Sequence, residues 1–289
     1  MPKPVVITAE STCDLPISLR EEFGVHTIPL YVTLEGKTGQ DCVDIFPEEI
    51  FEAFWARGSL AKTAAASIAD YRDFFEQFTS KGCAVVHIAL ASVYSSSSHV
   101  ASLAAQELPG EEIYIVDSKQ FCTAQGMVCI LAARLRDEGC SAAEIADRVA
   151  NDICPRMRTI YYLDGLDFAG KSGRAHPAVV MAASMFNIHP SIAIDPATGE
   201  MVVGKKYRGK SGPEHWLRDS CARFLETCDP ALCFFMYTPE QKPEQYEPLQ
   251  ALARTLLKDV RRLETDTVGC LAVAHCGGGC LTVVGLAKA

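Results

Sequence analysis

Four consecutive serines at 95–98 follow the apolar run CAVVHIAL (83–90) and precede the helix-like stretch HVASLAAQEL (99–108). The first amides of a helix have no internal acceptor and carry the positive end of its dipole. Hydroxyls placed beside such amides make a neutral cradle for an anion. The same residues serve equally well as a helix cap followed by turn filler. This stretch alone leaves both readings open.

Three further stretches carry residue types suited to chemistry. AKTAAASIADY (61–71) sets Thr63 before a row of small residues, either where a ligand approaches closely or in a plain loop entering a helix. GLDFAGKS (165–172) is a literal G-x-x-x-x-G-K-S, the phosphate-loop pattern, with Lys171 as its cation. Against that reading stand Asp167 and the bulky Leu166 and Phe168 inside the loop, and Gly173 and Pro177 where a helix would have to begin. VAHCGGGCL (273–281) sets His275 at the end of an expected strand, before three glycines that permit positive φ. Such a histidine can hydrogen-bond a carboxylate or phosphate, or simply be satisfied beside a flexible turn. His275, Cys276 and Cys280 are the nearest approach to a metal pattern, and without a second pair no metal is expected. No G-x-S-x-G elbow supports a serine hydrolase built on Ser95 and His275.

The elements that would position these residues alternate through the first half. Strands are expected at 4–10, 25–34, 83–90 and 111–118, and helices at 16–23, 47–58, 68–82, 99–108 and 125–139. Strands separated by helices of ten to fifteen residues imply βαβ units and a parallel sheet. The second half differs. A hairpin over 191–207 turns at D-P-A-T-G, helices are expected at 178–186, 213–226 and 244–257, and strands at 231–238 and 270–276. The expectation is therefore an α/β chain of two domains. Residues 1–156 would hold a parallel sheet flanked by helices, and residues 157–289 a mixed α/β domain.

With 289 residues, 48% apolar and 22% charged, the chain can bury a substantial core. A formal net charge of −9 and the lack of a basic run argue against nucleic acid as a partner. The apolar run at the start is too short for a signal segment, and none approaches the ~20 residues of a membrane span, so no stable membrane insertion is expected. Thirteen scattered cysteines suit a reducing cytoplasm, where they act as small buried hydrophobes.

Taken in order, several stretches resemble the DegV family of bacterial fatty-acid-binding proteins, which serve as acyl-carrier subunits of fatty acid kinase. They are ITAESTCDLP (7–16), PLYVTLEGKTGQDCVDIFPEE (29–49), KTAAAS (62–67), ASVYSSSSHVASLAAQEL (91–108), IYIVDSKQFCTAQG (113–126), LDGLDFAGKSGRA (163–175), YRGK (207–210) and AHCGGG (274–279). The resemblance runs from residue 5 to about residue 285 and implies a two-domain DegV-like fold. It implies that Thr63 and Ser95 hold a long-chain fatty acid carboxylate, with the backbone of Ser96 as a further donor and His275 completing the polar end. Arg174 would lie near the carboxylate or at the docking surface of a partner, and the acyl chain would enter an apolar tunnel. No residue is then catalytic and no cofactor is needed. An ATP-binding kinase subunit, with its own ATP and Mg²⁺, would make the acyl phosphate. The chain departs from the family's patterns at the three alanines after Thr63, at Ser96, Ser97 and Ser98, at Ser172 and Ala175, and at Gly278. These changes bear on chain preference and kinase docking. The alternative is a nucleotide-dependent enzyme using 165–172 as a true phosphate loop. A small-molecule transcription regulator is disfavoured by the acidic charge and the lack of a DNA-binding motif.

Overall fold

The computed structural model describes residues 3–164, 188–238, 244 and 246–289. The chain forms two compact units: Met1–Tyr31, Ala64–Pro155 and Pro196–Gly199 in the first, and Val32–Thr63, Arg156–Asp195 and Glu200–Ala289 in the second.

The first unit is built on a parallel sheet in the order Val25–Ile28, Val5–Glu10, Ala84–Ala89, Ile113–Asp117. Ala84–Ala89 is buried along its whole length, as an interior strand covered on both faces must be. The helix Thr123–Asp137 buries Thr123 through Ile130 without a break, so it is a core helix rather than an amphipathic surface one. The helix Ile68–Thr79 is fixed at its start by Ser67, whose Oγ accepts the Asp70 N–H at 3.1 Å while the Asp70 carboxylate accepts the Ser67 N–H at 2.9 Å. Its buried face carries Tyr71 and Phe75.

The second unit holds a six-stranded sheet in the order Met201–Arg208, Ile188–Ile194, Met157–Tyr162, Leu281–Leu286, Cys233–Tyr237, Leu263–Thr267. All of its pairs are antiparallel except the last, which makes the sheet mixed. The helix Gly212–Thr227 covers one face with Trp216, Leu217 and Phe224, which cluster with Tyr162 and Phe235. A small sheet orders Lys37–Gln40, Tyr31–Leu34 and Lys62–Ala64, placing Lys62–Ala64 at an edge.

The fold is α/β with one parallel and one mixed sheet, as expected, and three local expectations change. The strand expected over 25–34 is two strands in different sheets. Pro29 lies between them without an N–H for a ladder, and the Leu30 N–H turns to Ser11 Oγ at 3.1 Å. CLAVAHC is a helix, Cys270–Cys276, not a strand. A short unbroken apolar run carries no period that separates the two. A remote carboxylate decides the matter here: Asp41 Oδ1 accepts the N–H of Cys270 at 2.9 Å, satisfying an amide at the helix start. That same bond spans 229 positions. The third change is in how the chain divides. Val32–Thr63 clusters with the second unit, so the two units interleave rather than dividing as 1–156 and 157–289.

Among the described residues no helix is long and apolar enough to cross a membrane. One glycine tests the packing of the first unit. A Cβ on Gly126 would lie 2.4 Å from the Cys13 carbonyl oxygen and 2.9 Å from a Leu15 methyl. Alanine gains about 0.5–1 kcal/mol as a helix former, whereas overpacking costs about 1–3 kcal/mol. Overpacking wins, so Gly126→Ala is expected to lower stability by about 1–2 kcal/mol in urea unfolding, against the direction that helix propensity alone gives.

Candidate functional site

Glu10 ends the apolar strand Val5–Glu10 and is wholly buried. A carboxylate there needs donors, and the neighbouring elements supply them. Oε1 accepts the Tyr71 hydroxyl at 2.9 Å and lies 3.2 Å from His87 Nε2. Oε2 accepts the Leu90 N–H at 2.9 Å and the Gln125 side-chain amide at 2.8 Å. The outer partners are satisfied in turn: Thr8 Oγ1 meets His87 Nδ1 at 3.0 Å, and Thr12 Oγ1 donates to Gln125 Oε1 at 2.8 Å. Burial pushes the Glu10 pKa up, but the charge and hydrogen bond of His87, the Leu90 amide and the Tyr71 hydroxyl together hold it below the ordinary carboxylate value. For Tyr71, burial and the Glu10 charge push the phenol well above its usual range.

The seryl turn lies at the end of this network. Ser97 is buried and opens the helix Ser97–Gln106. Its side chain draws the Tyr71 pKa down against the effect of burial, and its Oγ lies 2.8 Å from Ser95 Oγ. Ser95 Oγ also accepts the Ser97 N–H at 3.1 Å, so the capping role is realised at Ser95. Tyr71 donates to the ionised Glu10, which can only accept. Ser95 is half-buried and Ser96 is exposed. If the Ser95 hydroxyl turns outward to an anion, its oxygen still accepts the Ser97 N–H. The amides of Ser98 and His99 lie in the first turn, where the helix offers no acceptor of its own.

In the second unit, Thr63 Oγ1 and His275 Nε2 are 2.9 Å apart, both half-buried. Thr63 is the middle residue of the edge strand Lys62–Ala64. His275 stands in the last turn of the helix Cys270–Cys276, not at a strand end. When Nε2 carries the proton it donates to Thr63 Oγ1, which leaves the threonine hydroxyl hydrogen for an anion. The glycine turn beyond fixes where this helix stops. Gly277 and Gly279 have φ of 72° and 73°, and a Cβ on Gly279 would lie 2.6 Å from Asp164 Cβ. The Gly279 N–H donates to the Tyr246 hydroxyl at 3.0 Å, and the Cys280 N–H to Thr238 Oγ1 at 2.9 Å.

Of the residues named from the sequence, Thr63 and His275 are brought together, and Ser95 and Ser96 stand at one helix start. Arg174, the phosphate-loop pattern at 165–172 and the helix expected at 178–186 lie outside the described residues. Sequence reasoning passes over Glu10, Tyr71, His87 and Gln125, and takes Ser97 only as one of four serines in the cradle. Its one usable signal is an acid closing an otherwise apolar strand, since Tyr71 reads as part of an apolar helix face and His87 as a break in an apolar run.

Glu10 has a depressed folded pKa, so its charge contributes stability that is complete above the unfolded value of about 4.3. That contribution fades as pH falls through the lower folded value. Glu10→Gln places an amide NH₂ in this ring of donors and is expected to cost about 2–4 kcal/mol at pH 7. Urea unfolding of both proteins at pH 7 and pH 3 checks this. The gap between them should narrow at pH 3; an unchanged gap would mean that folding leaves the Glu10 pKa where it is in the unfolded chain, and a widened gap that Glu10 is neutral when folded.

Comparison with known proteins agrees with this architecture. The profile of the DegV family, described as uncharacterised, matches residues 4–288. A DegV domain-containing protein of Caldanaerobacter subterraneus subsp. tengcongensis is 30% identical over 215 residues, covering 74% of this chain and 75% of its own. Among solved structures, a DegV family protein from Thermus thermophilus described by its fatty acid binding superposes with a TM-score of 0.83 at 24% identity, over 100% of both chains. A stearic acid-binding protein from Eubacterium ventriosum gives a TM-score of 0.84 at 21% identity, over 100% of this chain and 99% of that one. DegV of Bacillus subtilis, described as a fatty acid binding protein, gives 0.81 at 21% identity, over 99% and 100%. The chain belongs to the DegV family.

Proposed function

We propose that this chain binds a long-chain fatty acid without transforming it, and presents the carboxylate to an ATP-binding kinase subunit that makes the acyl phosphate. The polar end is assigned to Thr63, His275, Ser95 and the Ser96 backbone, with Arg174 near the carboxylate or at the partner's docking surface. The observation that carries this reading is the Thr63–His275 pair, which joins positions 212 apart in sequence into one hydroxyl–imidazole unit able to donate to an anion. The seryl turn adds hydroxyls and first-turn amides on a rigid base. The descriptions of the Thermus thermophilus, Eubacterium ventriosum and Bacillus subtilis proteins, which name fatty acid binding, support the choice of ligand.

The energetics are consistent with such a ligand. At about 0.8 kcal/mol per buried CH₂, a sixteen-carbon tail contributes roughly 10 kcal/mol before ordering costs, so the tail supplies most of the affinity. Hydrogen bonds to the charged form keep the carboxylate ionised without an obligatory ion pair. The headgroup contacts then set orientation, which a phosphoryl-transferring partner requires.

Native mass spectrometry of the purified protein, with organic extraction of bound material, tests the reading. A stoichiometric adduct in the mass range of a long-chain fatty acid is expected. Ser95→Ala and Thr63→Val should each weaken fatty acid binding about tenfold, the loss of roughly one charge-assisted hydrogen bond. Ser95→Ala should also cost about 1 kcal/mol of stability through the lost cap. An unliganded mass that takes up ATP and no added fatty acid would overturn the proposal in favour of the phosphate loop at 165–172.

A further inference from the structure

All thirteen cysteines are free thiols. Among the described residues, one group of three metal-capable side chains has its ligand atoms within 4.8 Å of one another: Asp41, Cys42 and Cys270. All three belong to the second unit. Asp41 and Cys270 are buried, while Cys42 is exposed at the surface.

The backbone holds these groups together in an uncommon way. Adjacent residues of an extended chain point to opposite sides, yet Cys42 Sγ lies 3.3 Å from Oδ1 of its neighbour Asp41. The reason is a left-handed backbone at Cys42, φ 55°, which bends the chain so that both side chains converge. A non-glycine residue in that region costs on the order of 1 kcal/mol and persists only where its surroundings impose it. A tight turn does so here: the Cys42 N–H donates to the Ile45 carbonyl at 3.0 Å, and the Val43 and Asp44 N–H groups to the Gln40 carbonyl at 3.2 and 3.0 Å. On the other side, Asp41 Oδ1 accepts the Cys270 N–H at 2.9 Å, which brings the Cys270 thiol to the same carboxylate.

From this placement we infer that Asp41, Cys42 and Cys270 form a binding site for a thiophilic divalent cation of the Zn²⁺ class. Two sulfurs and one carboxylate oxygen fill three corners of a tetrahedron, and solvent at the exposed Cys42 side supplies the fourth ligand. Zinc–sulfur bonds of about 2.3 Å put tetrahedral donors somewhat under 4 Å apart, so the group closes by about an ångström to bind. Cys42, on a short exposed turn, is free to make that movement. As the metal enters, both thiols release their protons to solvent. The Cys270 thiol leaves its contact with the Ile45 carbonyl, and that oxygen keeps the Cys42 N–H. Three anionic donors around a divalent ion leave a complex with one net negative charge.

The test is a Co²⁺ titration of the reduced, metal-free, full-length protein. About one equivalent should produce a thiolate-to-cobalt charge-transfer band with tetrahedral d–d bands, and added Zn²⁺ should displace them. Cys42→Ser removes an exposed ligand without touching the helix cap, and it should weaken uptake at least about 100-fold, beyond what loss of a supporting residue costs. Cys83→Ser, a thiol outside the group, should leave the bands unchanged. Absence of the bands, their persistence in Cys42→Ser, or loss of the two thiols to a disulfide in place of metal uptake would each overturn the assignment.

Discussion

A carboxylate taken out of water must find donors within the chain, and each unit of this protein is arranged around one that has done so. Glu10 gathers a strand and two helices around its two oxygens. Asp41 reaches a helix start 229 positions away. Neither contact is a surface ion pair of marginal worth. Removing a partner would strand a buried polar group at a cost of about 1–3 kcal/mol, more where a charge is involved. The elements that meet at these acids are therefore held to a narrow geometry, and the half-exposed groups beside them inherit it.

That inheritance links the fold to the proposed lipid site. Ser95 is positioned by the hydroxyl and amide of buried Ser97, and Tyr71 by Glu10, so a partly exposed hydroxyl is braced against a buried helix start. His275 is positioned by a helix whose start is fixed by Asp41 and whose end is fixed by Gly277. Each group assigned to ligand contact stands on a helix, or at the start of one, that buried hydrogen bonds hold in place. A site built this way loses little rotamer freedom on binding, because its donors are already aimed.

Much of this was legible in the sequence. The alternation of strands and helices before residue 150 gives the parallel sheet, and D-P-A-T-G gives the hairpin that becomes Ile188–Ile194 and Met201–Arg208. Thr63 and His275 each stand out in their own stretches, but only the resemblance to a family joins them in one role, since nothing local ties positions 212 apart. The misread helix Cys270–Cys276 shows where local pattern ends. CLAVAHC is apolar on every side, β-branched only at Val273, and its state is decided by an acid far away in sequence. Glu10 escaped notice because one acid at a strand end looks like the strand's last, solvated residue until Tyr71, His87 and Gln125 are placed around it.

The brevity of the helix that carries His275 has a kinetic consequence. Seven residues at 1.5 Å each span about 10 Å, far too short to persist as a helix in water without tertiary support. Its lifetime is therefore that of its anchors, and it opens as one piece or not at all. When it opens, the imidazole at one end and the Cys270 amide at the other are released in the same event. Breakage of the Asp41 bond and displacement of His275 therefore belong to one local opening event.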